Sequence, residues 1–116
     1  MENKFNYSFD DEVVSKFCYD IDKKKIITYF TGYTDLIEQK RFLDRQCIFT
    51  IENWEKAKSK VGDENRFFDL DKNMGIFSMI LYVKLEEGGL EILVNTLDDR
   101  YITLIFTNVD INFRIL

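Results

Sequence analysis

Any chemistry in this chain must come from carboxylates, hydroxyls and two thiols. Histidine is absent from all 116 residues. Neither a Ser–His nor a Cys–His nucleophile pair can therefore form, and no His-ligated metal can be held. Cys18 and Cys47 alone do not make a zinc site, and their expected role is that of small buried hydrophobes. Ser15, Ser59 and Ser78 stand in no recognisable nucleophile motif. A pair of carboxylates could serve as general acid and base, yet the acids of this chain fall in turns and strand edges, where they are solvated. Asp69-x-Asp71-x-Asn73 opens like a calcium loop, but that pattern needs Gly at its sixth position and Glu at its twelfth. Those positions are Met74 and Ile80. Tyr29, Phe30 and Tyr33 could line a small-ligand pocket, although alternating aromatics in a strand are ordinary core. The expectation is a protein that is not an enzyme, with no catalytic residue, no metal ligands and no cofactor.

Charge points to a different kind of work. Twenty-one Asp and Glu against sixteen Lys and Arg give a net charge of −5. Phosphate affinity rests on Lys and Arg, so nucleic acid is a poor partner, whereas a basic protein would be attracted. The N-terminus, Met1-Glu-Asn-Lys-Phe-Asn-Tyr-Ser-Phe-Asp10, has no apolar segment of a secretory signal, and no apolar run reaches the length of a membrane span. A cytoplasmic protein with reduced thiols is expected.

The elements that would position these groups are mostly strands. At this length the chain is one domain, residues 1–116, and the absence of Pro leaves every strand its backbone donors. The organising stretch is Ile76 to Ile115. Its four β-branched and aromatic runs, Ile76–Leu85, Leu90–Thr96, Tyr101–Thr107 and Val109–Ile115, predict an antiparallel meander. Ile76–Leu85 and Tyr101–Thr107 are apolar on both sides and read as central strands covered on both faces. Val109–Ile115 alternates and has one wet face. Upstream, Phe5, Tyr7 and Phe9 alternate as a short strand or arm. Val13–Tyr19 and Ile26–Thr31 form a hairpin around Asp20–Lys25, and Gln46–Ile51 is a further strand. Leu36–Arg45 fits neither period, and reads as loop, short helix or edge strand. Asn53 is placed to cap a helix over Trp54–Val61, with Trp54, Ala57 and Val61 on one face and Gly62 as its stop. Trp54 would anchor that helix to the sheet. The expected fold class is α+β: a mainly antiparallel sheet of about seven strands with one short helix packed on it.

The acids concentrate in the connectors. Asp63, Glu64, Asp69 and Asp71 lie in one, Glu86 and Glu87 in another, and Asp98 and Asp99 in a third. Alternate connectors of an antiparallel sheet share an end, so some of these acids must cluster.

The whole pattern resembles one family. An N-terminal hairpin leads to Ile27-Thr-Tyr-Phe-Thr-Gly-Tyr33, then Ile51-Glu-Asn-Trp54 and a Lys-rich segment follow. The chain closes on Asn95-Thr-Leu-Asp-Asp-Arg-Tyr101 and Leu104-Ile-Phe-Thr-Asn-Val109. In style this resembles the small acidic immunity proteins encoded beside polymorphic or contact-dependent growth-inhibition toxins of bacteria. The resemblance implies a cytoplasmic antidote that binds the toxin domain of its own strain, in many such systems a nuclease with a basic cleft. On that reading Asp63, Glu64, Asp69, Asp71, Glu86 and Glu87 would contact the basic partner. The alternative expectation is a small structural or interaction subunit that self-associates through an exposed strand edge.

Overall fold

The computed structural model describes residues 5–116. The first four, where the N-terminal stretch without an apolar segment begins, lie outside the described residues. In chain order the elements are β1 (Tyr7–Ser8), β2 (Val14–Asp20), β3 (Lys25–Phe30), β4 (Tyr33–Asp35), β5 (Lys40–Phe42), β6 (Cys47–Glu52), β7 (Lys56–Val61), β8 (Phe68–Asp69), α1 (Leu70–Asn73), β9 (Phe77–Glu86), β10 (Gly89–Thr96), β11 (Tyr101–Thr107) and β12 (Asp110–Ile115). The twelve strands form three sheets, ordered β1-β4-β5, β12-β6-β3-β2 and β8-β7-β11-β10-β9. All the strand pairings are antiparallel. This is a mainly antiparallel β protein, not an α+β domain.

The two larger sheets share one core. In the four-stranded sheet Ile26, Thr28 and Phe30 on β3 and Cys47, Phe49 and Ile51 on β6 are buried, alternating with half-buried neighbours. In the five-stranded sheet Leu90, Ile92, Val94 and Thr96 on β10 and Ile102, Leu104 and Phe106 on β11 do the same. Period-2 alternation sends one face of each sheet inward. Each fully buried Phe, Leu or Ile contributes roughly 1.5–3 kcal/mol relative to exposure. The polar residues that go in with them are satisfied: Thr28 donates to the Phe49 carbonyl at 3.0 Å and Ser59 to the Asp69 carbonyl at 2.9 Å. The small sheet adds an aromatic cap. Phe9 stacks on Phe30 with centroids 4.3 Å apart, and Phe113 lies against Tyr7 at 4.3 Å and Tyr33 at 5.3 Å.

The expected helix over Trp54–Val61 is a strand. Lys56-Ala-Lys-Ser-Lys-Val61 also has a period of two, with the lysines outward and Ala57, Ser59 and Val61 facing the core. That period prevails because β11 needs a partner along its second edge, and β7 supplies it from Ile102↔Val61 to Thr107↔Lys56. Asn53 caps nothing. Its φ of 59° places it in the left-handed region that Asn tolerates, and it turns the chain from one sheet to the other. Trp54 anchors no helix, but it is buried in the core at that corner with its ring 5.1 Å from Phe106. The helical turn lies instead at Leu70–Asn73, in the segment whose sequence is least regular.

The meander is real for three runs and ends there. β9, β10 and β11 pair in succession, but β12 crosses to the other sheet and pairs with β6. Asn108, with φ 51°, makes that corner. β11 is central as expected, whereas β9 is an edge strand. The doubly apolar first half of β9 is explained by its neighbour. There Val13, just before β2, bridges to Met79, and Phe17 on β2 lies 4.4 Å from Phe77. The hairpin β2–β3 and the strand β6 stand where they were expected, and the unassigned Leu36–Arg45 segment holds the short edge strand β5.

Candidate functional site

One end of the five-stranded sheet brings apolar and acidic groups together on the surface. The turn between β10 and β11 carries Leu97, Asp98, Asp99 and Arg100. It is locked from within. The Asp99 amide donates to the Thr96 carbonyl at 2.9 Å, and the Arg100 amide donates to Thr96 Oγ1 at 3.1 Å. Asp98 accepts from the Thr96 hydroxyl, and from Arg100 Nε at 2.7 Å. These bonds, the Thr96 hydroxyl first and the guanidinium next, hold the Asp98 carboxyl below the usual carboxylate range. Arg100 also donates to the Asn73 carbonyl at 3.1 Å, tying the turn to α1. Gly75 makes room for it, since a Cβ there would meet Arg100 Nη2 at 2.6 Å.

Two neighbours complete this end. The Leu97 amide donates to the Ile76 carbonyl at 2.9 Å, and the Gly62 amide donates to the Tyr101 carbonyl at 2.8 Å. Leu97 thus lies beside Ile76, and Tyr101 lies beside Gly62 at the same end of the sheet. The side chains of Ile76, Leu97 and Tyr101 are all out in solvent, 56%, 68% and 52% exposed. Asp63 and Glu64 follow Gly62 and are exposed as well. The result is a sheet end that carries three exposed apolar side chains, four exposed acids and one internally bonded arginine.

The six acids singled out from sequence do not form one face. Asp63 and Glu64 lie at this end of the sheet. Glu86 and Glu87 lie at the opposite end, because Gly89 pairs with both Glu86 and Thr107 while Val61 pairs with Ile102. Glu86 is there within 3.4 Å of Lys84. Asp69 sits on the outer strand β8, 3.4 Å from Lys58. Asp71 accepts a hydrogen bond from the Tyr19 hydroxyl, whose pKa is pushed up by burial and then by that bond. The residues sequence reasoning missed are Ile76, Leu97 and Tyr101. Their types are those of core residues. The available signal was Leu97, an apolar side chain inside an otherwise charged turn.

Among the described residues no three His, Cys, Asp or Glu side chains are grouped as a metal site would require. Cys47 is buried beside Glu12, and burial first, then that charge, pushes its thiol up to about 12. Such a thiol is inert at neutral pH, because the thiolate is the nucleophile. Cys18, expected to be buried, is exposed on the outer face of β2. An aromatic disulfide reagent should therefore titrate one thiol in the native protein and a second only after denaturation. Two fast equivalents would mean that Cys47 is reached without unfolding.

No protein-family model, curated protein or solved structure matches the chain.

Proposed function

We propose that this chain is an immunity protein. It captures the basic surface of a cognate toxin domain in the cytoplasm and blocks it by occupancy, without chemistry of its own. The observation that carries the reading is the exposure of Ile76, Leu97 and Tyr101 at the sheet end that also carries Asp63, Glu64, Asp98 and Asp99. Contacts of high affinity combine a few large apolar or aromatic anchors with a polar rim. Negative charge around the anchors steers a basic partner in and raises its association rate. A nuclease cleft built to hold phosphates presents the matching field.

The test is co-expression with the toxin domain that this reading expects to be encoded beside the chain. The toxin alone should arrest growth, and the chain should restore it. The purified pair should form a complex whose association slows as salt is raised. Growth arrest that persists while the folded chain is abundant overturns the reading.

A further inference from the structure

We infer that the free edge of β12 is a self-complementary interface through which two copies of this chain join their four-stranded sheets into one sheet of eight strands. The inference is independent of the toxin reading and uses a different part of the molecule.

β12 is an edge strand: β6 lies on one side, and among the described residues no strand pairs on the other. Backbone bonds flanking the strand fix which groups point to the open side. The Leu116 amide donates to the Gln46 carbonyl at 2.9 Å, and the Asn53 amide to the Lys24 carbonyl at 3.0 Å. Hydrogen-bonded positions alternate along an antiparallel ladder. Asp110, Asn112 and Arg114 therefore bond to Glu52, Thr50 and Ile48 of β6, and the amides and carbonyls of Ile111, Phe113 and Ile115 face outward along the edge. Such a row is a template for another strand.

The sequence selects the partner and its register. A two-fold axis through Asn112 sets Ile111 against Phe113 of the second copy. Both residues present edge-facing backbone, so the two pairs exchange N–H···O bonds in both directions. The same axis sets Asp110 against Arg114 of the second copy, and Arg114 against its Asp110. These are non-hydrogen-bonded positions, where cross-strand side chains come closest. Moving the axis to Asp110 or to Arg114 would put like charges face to face, and moving it to Ile111 or Phe113 would leave both charges without an opposite. Charges on an edge strand usually discourage pairing, but here their signs alternate about the centre, and the strand complements itself. Both groups are available. Arg114 is exposed and has no ion-pair partner among the described residues. Asp110 uses one oxygen to accept from Asn53 Nδ2 at 3.0 Å, which leaves the other. Phe113 points inward among Phe5, Tyr7, Phe9 and Tyr33, clear of the outer row. The interface is isologous, the commonest symmetry of soluble oligomers.

Sedimentation velocity on the purified chain, over about 5 to 500 µM, should show a monomer–dimer equilibrium. Arg114→Asp or Asp110→Arg alone turns two attractive cross-strand pairs into repulsive ones and should raise the dimer Kd at least about tenfold. Arg114→Asp removes no hydrogen bond or ion pair among the described residues, so its melting curve should match the parent. Mixing the two single variants in equal amounts should restore dimers, because the opposite charges then meet across the interface, and the double exchange should restore them in one chain. A parent protein that stays monomeric throughout, single variants that dimerise like the parent, or a mixture that stays monomeric would each overturn the inference.

Discussion

Alanine at both Leu97 and Tyr101 is expected to weaken capture of the toxin domain by at least about a hundredfold, mainly through faster dissociation. Both side chains are more than half exposed in the free protein, so folding gains little from them. A binding partner that covers them would remove their surface from water. A well-buried anchor is worth about 2 kcal/mol or more on truncation, close to thirtyfold in affinity, and two anchors within one contact fall short of the product. The rim acts on the other rate constant. Asp63, Glu64 and Asp99 reversed to Lys should slow association and flatten its salt dependence while leaving dissociation nearly unchanged. Asp98 is left out of that set because its carboxylate holds Arg100 at 2.7 Å, and reversing it would undo the turn. Glu86→Lys with Glu87→Lys, at the far end of the sheet, is the matched control and should bind like the parent. Stopped-flow kinetics separates these outcomes. If the Leu97 and Tyr101 variant binds within about threefold of the parent, this sheet end is not the contact, even though growth rescue by the chain would still stand. If the Glu86 and Glu87 reversal is the one that slows association, the partner docks at the other end.

How far the sequence could reveal these features depended on the range of the interaction that decides each of them. Ile26 to Phe30 is a short β-branched and aromatic run bounded by polar and glycine breaks, so β3 was legible as a strand from its own residues. The same holds for β6 and for the run from β9 to β11. Over Trp54–Val61 two periods coincide. Trp54, Ala57 and Val61 satisfy a helix, while Ala57, Ser59 and Val61 satisfy a strand, and local sequence does not choose between them. The choice comes from a residue far along the chain, because the β11 edge at Thr103 pairs with Lys60 across that gap. The exchange of sheets at β12 is equally non-local. Val109–Ile115 has the alternation of any half-wet strand, and nothing in it specifies β6 over β11 as its neighbour. The candidate site divides in the same way. That acids gather in connectors is visible in the sequence, but that Asp63 and Glu64 share an end with Asp98 and Asp99, and not with Glu86 and Glu87, follows from strand order alone. Exposed Ile76 and Tyr101 look no different in sequence from buried Ile80 and Phe77.

Phe9→Ala should cost about 3–5 kcal/mol, a large share of the roughly 5–15 kcal/mol that keeps a domain of this size folded. Phe9 belongs to no strand, yet it is 1% exposed. Its ring stacks on Phe30 at 4.3 Å and touches Phe5, Phe49 and Phe113 at 5.4–5.9 Å. It therefore joins the small sheet to the four-stranded one. Its carbonyl also accepts the Glu12 amide at 2.9 Å, which sets the buried Glu12 carboxylate 3.1 Å from Arg41 on β5. Removing the ring would leave a cavity that the stacked aromatics are too rigid to fill, and it would loosen the turn that carries Glu12. Phe42→Ala is the comparison. Phe42 is only half-buried and packs on Tyr33 at 5.0 Å, so its loss should cost about half as much or less. Urea unfolding measures both quantities that matter. A lower midpoint with an unchanged slope means that the small sheet unfolds together with the rest. A lower midpoint with a shallower slope means that β1, β4 and β5 are already detached before the main transition, because the slope follows the surface exposed. A loss below about 1 kcal/mol for Phe9→Ala would show that the N-terminal arm lies on the core without being part of it.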